Sequence, residues 1–427
     1  MSDQKPDPES PERRRASTGD GPRVTRRRWL QTGAAAVAAT GLAGCAGGGG
    51  GGDGGDGGNG DGGDGGDGGN GDGGGDGDGG NGGTVTETDD LSGTTVTFQG
   101  FGTHIPGMKA MAEDFEEETG IKVTAAPFND DWQVLARQRA GAGDLDLFQM
   151  SMRAVPTARE QELIQPVRPE NIPNLENIQS KYRPENAPWE PDAGTWTAVA
   201  NHFGSNSLAW NTDLWPLDED PTSWRDLLDP ELQGEVGYSQ RPNYAVCTTY
   251  LQFWPDEPRQ FEENYEERIA KVWDSLENEW KPQVGTWFGG GPQASQAFSN
   301  ETVTAGHQFP VIVAQLQSDG NPIQNTIPEE GAFQYLDGLA IPAGVEDPIR
   351  EAAEMFIDYS LDPANRGEYL ELVPTGTTFE VPEEYQSEGY KGNVAVQFED
   401  RLSIFDPVFI GSKADEWTTR IQEIIRA

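Results

Sequence analysis

The chain of 427 residues carries 72 acidic against 30 basic side chains, a formal net charge of −42, and only two cysteines. Such an acidic balance excludes a nucleic-acid partner, because one polyanion repels another. Two cysteines are too few for a disulfide framework.

At the N-terminus, Thr25-Arg26-Arg27-Arg28-Trp29-Leu30 precedes a short alanine-rich run that stops at Leu42-Ala43-Gly44-Cys45. Adjacent arginines ahead of a short apolar segment mark twin-arginine export, with Arg26 and Arg27 as the signal pair. Small residues just before Cys45 resemble a lipobox, with Cys45 as the lipidation site and first mature residue. The apolar segment 33–43 is about half the ~20 residues a bilayer-spanning helix needs, so it reads as a signal core. Residues 1–44 are therefore expected to be a signal peptide. The chain from 45 to 91 is expected to be a tether, since 47–83 holds only Gly, Asp and Asn and offers nothing to bury. The scarcity of lysine beside so many acids resembles proteins of extreme halophiles, where salt shortens the Debye length to ~3 Å.

From residue 92 on, the pattern alternates. Residues 94–98 read as a strand, and Met108, Met111, Ala112 and Phe115 form one helical stripe that Gly120 ends. Residues 121–125 read as a second strand, 132–140 as a second helix and 145–150 as a third strand. Alternation of this kind gives an α/β fold with a parallel sheet. Further on, Phe261, Tyr265, Ile269, Val272, Trp273, Leu276 and Trp280 fall on one apolar stripe, which reads as core. Ile349–Leu361 reads as a helix stopped by Asp362-Pro363, and Trp417, Ile421 and Ile424 build the last helix. The long Pro- and Trp-rich connection 184–196 has no assignment.

Chemistry-bearing motifs are sparse. Cys247 lies in an apolar run and reads as a small core residue. His104, His202 and His307 are isolated in sequence. No zinc spacing, nucleophile elbow or Walker loop is present, so neither an enzyme nor a cofactor is expected.

Four segments in order carry a resemblance. They are Glu116-Glu117-Glu118-Thr119-Gly120-Ile121-Lys122-Val123; Thr222-Ser223-Trp224-Arg225-Asp226-Leu227-Leu228 with Leu232-Gln233-Gly234; the run from Glu330 through Gln334-Tyr335-Leu336-Asp337-Gly338 to Pro342; and Asp362-Pro363-Ala364-Asn365 with Pro374-Thr375-Gly376. Read together, they resemble the extracellular solute-binding proteins of the spermidine/putrescine type, which feed ABC transporters. The resemblance implies a two-lobed, type II periplasmic-binding-protein fold with a ligand cleft between the lobes. Lobe 1 would be 93–207 plus 339–382, and lobe 2 would be 208–338 plus 383–427. It also implies site residues: Phe101 and His104 after the first strand, Ser151 and Arg153 after the third, and Gly204, Ser205 and Asn206 as a crossover turn on the cleft floor. Phe309 falls where the family stacks a ring on the ligand, and Tyr335 and Asp337 match an aromatic-x-Asp pattern whose carboxylate pairs with an ammonium. The sequence departs from the pattern at Arg241 and Tyr244, which stand where polyamine binders carry carboxylates. With Arg153 on the facing lobe, two planar cations suit a carboxylate or phosphate better than a dication.

The expectation is a monomeric, lipid-anchored receptor on the outer face of the cell membrane. It would capture a small polar organic solute, polyamine-like or anionic, and hand it to permease subunits. Two alternatives stand beside it. One is capture of a ferric-type metal ion, with His104, His202 and His307 near strand ends at the cleft. The other is a secreted hydrolase whose paired acids no motif places.

Overall fold

The computed structural model describes residues 91–427, apart from 129, 188 and 191–193. The signal peptide with Arg26 and Arg27, the lipidation site Cys45 and the tether as far as residue 90 lie outside the described residues.

The described chain opens as its patterning dictates. β1 (Thr95–Phe101) is rich in β-branched residues and buries Val96 and Phe98. The helix Ile105–Thr119 presents Met108, Met111, Ala112 and Phe115 to the core. It stops at Gly120, whose φ of 72° is the left-handed conformation that glycine adopts without a steric penalty. β2 (Lys122–Phe128) pairs parallel to β1, from Thr95↔Lys122 to Phe101↔Phe128. It runs past the expected end at 125 despite Pro127, because β2 is an edge strand and its outer side needs no amide donor. Asp130 caps the helix Asp131–Arg139 by accepting from the Trp132 amide.

The remaining strands are β3 (Leu147–Ser151), β4 (Ile164–Gln165), β5 (Val199–Ser205), β6 (Ser207–Asn211), β7 (Val236–Ser239), β8 (Val284–Phe288), β9 (Ala305–Gln308), β10 (Ile323–Thr326), β11 (Ala332–Pro342), β12 (Gly376–Thr377) and β13 (Leu402–Ser403). They form two sheets. The larger runs β12-β5-β11-β3-β1-β2, with β4 and β13 also paired to β11; the smaller runs β10-β6-β9-β7-β8.

Each sheet has its own core. The first gathers Val96, Phe98, Met108, Phe115, Phe148, Phe203, Leu336, Phe356 and Tyr369. The second gathers Leu208, Trp224, Tyr238, Tyr250, Phe261, Trp280, Phe333 and Trp417, with a small satellite around Phe288, Phe298 and Leu316. The chain crosses between the two cores at Asn206, again inside β11 between Phe333 and Leu336, and again between Tyr390 and Val394.

Two of the sequence motifs meet in the second core. Ser223 and Asp226 form a capping box, and the fully buried Trp224 donates from its indole N–H to the Gly331 carbonyl, 2.9 Å away. That bond fixes the turn from which β11 starts. The apolar stripe from 261 to 280 is helical over Tyr265–Ser275 and then widens into a π turn, Leu276–Trp280. Phe261 precedes the helix and packs on Tyr250, with ring centroids 4.2 Å apart. Trp273 stays partly exposed at the rim of the core.

Candidate functional site

A cavity of about 870 Å³ opens between the two cores. Phe101, His104, Ser151, Arg153, Arg241, Tyr244, Phe309, Tyr335 and Asp337 all line it. The helices Ile105–Thr119, Asp131–Arg139, Pro242–Leu251, Gly291–Ser299, Pro310–Ser318 and Pro407–Arg426 all start at its wall. This is where open α/β sheets hold ligands, at the carboxyl ends of their strands.

The wall from the first core is a set of buried titratable groups. Asp131 is 1 % exposed; it accepts from the Ser151 amide at 3.0 Å and lies 3.8 Å from the Arg153 guanidinium. Burial pushes its carboxyl up to about 6, against the pull of Arg153 and the Ser151 amide. Asp337 lies opposite Ser151 in the β3–β11 register and is 7 % exposed. Burial raises it to about 7, opposed by Arg153 and by the Ser151 hydroxyl.

Behind Asp337, His202 Nε2 stands 3.3 Å from Oδ2. Burial, and then the charge of Arg366, hold His202 down at about 3, so the imidazole is neutral and the contact is no ion pair. Its Nδ1 meets Asn201 Oδ1 at 2.8 Å, and its ring lies 4.3 Å from that of His104. His104 in turn hydrogen-bonds the Tyr369 hydroxyl at 2.7 Å. Arg366, also buried, stacks 4.4 Å over Tyr369 and donates to the Asn201 carbonyl.

The wall from the second core is more open. Arg241 precedes the helix Pro242–Leu251; it is exposed, and its Nε donates to the Gly289 carbonyl at 2.9 Å. Tyr244 meets Phe309 and Phe333 edge-on, each at 5.4 Å, and Phe309 meets Tyr335 at 5.8 Å. The Tyr244 hydroxyl, raised by burial, lies in the fields of Arg241, Asp337, Arg153 and Asp131 together. Four charges thus converge on one ring.

Gly204, Ser205 and Asn206 do not line the cavity. Gly204 pairs with Tyr335 in the β5–β11 ladder, and a Cβ there would come within 2.2 Å of the Tyr335 hydroxyl. Gly204 therefore lies against Tyr335 and not on the cleft floor expected of the crossover turn. Ser205 and Asn206 are buried, and Asn206 donates to the Thr248 hydroxyl at 2.9 Å. The three histidines do not converge either. His307 sits in the second core, 3.9 Å from the Tyr238 ring and 4.8 Å from that of Trp224, held at about 3 by burial. Among the described residues no group of three or more His, Cys, Asp and Glu could hold a metal ion, so the histidines do not form the site that the metal-capture alternative drew on. Cys247 is buried in the helix Pro242–Leu251, and burial pushes its thiol up. Among the described residues no helix is long and apolar enough to cross a membrane.

Sequence reasoning missed Asp130, Asp131, Trp132, Trp189 and Phe333, all on the cavity wall. Asp130 to Trp132 follow β2, so inspecting the end of every strand would have found them. Trp189 lies in the unassigned connection and had no signal.

The family described as bacterial extracellular solute-binding protein matches residues 110–396. The spermidine/putrescine-binding periplasmic protein of Salmonella typhimurium (strain LT2) is 24% identical over 282 residues, covering 65% of this chain and 75% of its own. Among solved structures, an ABC transporter substrate-binding protein from Bradyrhizobium japonicum USDA 110 superposes with a TM-score of 0.65 at 18% identity, covering 78% of this chain and 99% of its own. A binding protein of A. tumefaciens R10 in complex with agropinic acid superposes with a TM-score of 0.59 at 15% identity, covering 78% and 99%. These likenesses show the fold, the type II periplasmic-binding-protein fold expected from the sequence.

Proposed function

The chain belongs to the bacterial extracellular solute-binding protein family, and from that premise we propose that it is the lipid-anchored substrate-binding component of an ABC importer. It captures a small polar organic solute between its two cores and delivers it to a permease. The observation that carries this reading is the cavity itself. A volume of about 870 Å³ walled by aromatic rings and a few convergent charges is the form of a small-molecule site. Contacts from both walls stabilise a closed state, and closure is the signal a permease reads.

The name of the Salmonella relative gives spermidine and putrescine, whereas the A. tumefaciens structure holds agropinic acid. In this chain Arg241 faces the cavity with its terminal nitrogens unpaired among the described contacts. A dication would be repelled there, so the solute carries an anionic group that meets Arg241. The anchor is Cys45, reached by twin-arginine export through Arg26 and Arg27.

A thermal-shift screen in molar KCl tests the reading. A true solute at 100 times its Kd adds about 2.7 kcal/mol, or roughly 2–4 °C at this chain length. The absence of a shift with any polyamine, amino acid or organic acid would sink it. Cys45→Ala is expected to move the protein from the membrane fraction to the medium. Retention on the membrane would exclude Cys45 as the anchor.

A further inference from the structure

The charges on the cavity wall can be counted one by one. Asp131 and Arg153 lie 3.8 Å apart and neutralise each other. Asp130 is committed to the N-terminus of the helix Asp131–Arg139, accepting from the Trp132 amide at 2.8 Å. Among the described residues, Asp337 on one wall makes no ion pair with an arginine or lysine within 4 Å, and feels Arg153 only from further off; Arg241 on the other wall makes none with a carboxylate. The neutral His202 behind Asp337 cannot balance it. Arg241 spends only its Nε, on the Gly289 carbonyl. Beside them on the cavity wall stand the rings of Tyr244, Phe309 and Tyr335, with Phe309 in contact with both tyrosines.

We infer that the solute is a zwitterion, with its cationic nitrogen at Asp337, its carboxylate at Arg241 and its carbon chain against the Tyr244, Phe309 and Tyr335 rings. This rests on the solute-binding reading above and sharpens it. A carboxylate as buried as Asp337 is costly to leave unpaired, so a cation gains most there. A planar guanidinium in reach of solvent takes a carboxylate in a two-pronged bond. A diamine satisfies Asp337 and is repelled by Arg241. A diacid satisfies Arg241 and is repelled by an ionised Asp337.

Three probes with four methylenes each separate the cases: 5-aminopentanoate, putrescine and adipate. Glycine betaine and a pool of the common amino acids extend the zwitterion arm. Each is added to the purified full-length chain in molar KCl at pH 8, and the melting temperature is followed. The expected result is a shift of roughly 2–4 °C with at least one zwitterion and a smaller shift, or none, with the diamine and the diacid. Arg241→Ala and Asp337→Asn should each weaken the responding zwitterion at least fivefold. Arg241→Glu should turn the preference toward putrescine. Arg241 is exposed, so its variants keep the fold, and an unchanged melting point without probe verifies this. A larger shift with putrescine or with adipate overturns the zwitterion and leaves the solute-binding reading standing. No shift with any probe overturns both.

Discussion

The two walls of the cavity are built on opposite plans. The wall from the larger sheet is wired before any solute arrives. Asp131, Ser151, Arg153 and Asp337 are tied to one another, and His202, His104, Tyr369 and Arg366 continue behind them. The wall from the smaller sheet holds exposed Arg241 on a glycine turn, with aromatic rings meeting edge-on beside it. On the proposed reading, the first would receive the cationic group of the solute and the second its anionic group. Preorganisation on one side and free capacity on the other allow a cleft both to select and to close.

The comparison breaks first at Asp337. Asp337→Asn is expected to weaken binding by about 1.5–3 kcal/mol, the range for a hydrogen bond to a charged group, read by isothermal titration calorimetry. Its effect on the empty protein has the other sign. The folded carboxyl lies at about 7 against an ordinary 3.8, so the native state holds this proton more tightly than the unfolded chain does. Stability from that group is therefore lost as pH rises from about 4 through 7, and the variant at pH 8 should melt no lower than the parent. Loss of stability with unchanged affinity would make Asp337 a structural residue.

Next is Gly204→Ala. Its Cβ would collide with the Tyr335 hydroxyl, at a cost of roughly 1–3 kcal/mol for an overpacked site. Both the melting point and the affinity should fall, because Tyr335 is wall and ladder at once. If only the melting point falls, Tyr335 does not touch the solute.

A pair of histidine variants separates the two cores. His202 and His307 are both held at about 3 against 6.5, so stability is lost as pH falls from 6.5 toward 3, by about 1.4 kcal/mol per pH unit for each. His307→Phe should remove one such loss in urea titrations at pH 5.5 and leave solute affinity unchanged. His202→Phe should remove the other and also weaken binding, because His202 stands against Asp337. Equal effects of the two on affinity would erase the distinction. The smallest effect is expected from Arg241→Ala, about 1 kcal/mol in affinity for a solvent-reached pair and none on the melting point of the empty protein.

Sequence patterning revealed most of the fold because local signals and tertiary packing agree there. Gly120 ends its helix, Asp362-Pro363 ends Ile349–Leu361, and the Met108–Phe115 stripe faces the core. The π turn at Leu276–Trp280 was invisible because its residues fit a helical stripe equally well. At the site, residues just past β1 and β3 could be read from strand order alone. The meeting of His202 with Asp337 could not, since it depends on the register of β5 against β11. Arg366 and Tyr369 carry no motif, yet they set the electrostatics behind the wall. The family resemblance puts Gly204 to Asn206 on the cleft floor, but Gly204 and Ser205 belong to β5, and Tyr335 lies against Gly204.

The chain passes from one core to the other at Asn206, between two strands, and again within the continuous strand β11. A strand bends but does not unwind without losing its ladder, so these links act as stiff leaf springs and not as slack cords. Asp337 sits on β11 only one residue past Leu336, the first residue after the crossing that is buried in the larger core. A solute held at that carboxylate, as proposed, would press beside the place where the chain leaves one core for the other, so a small displacement there would be levered into a larger one at the distant ends.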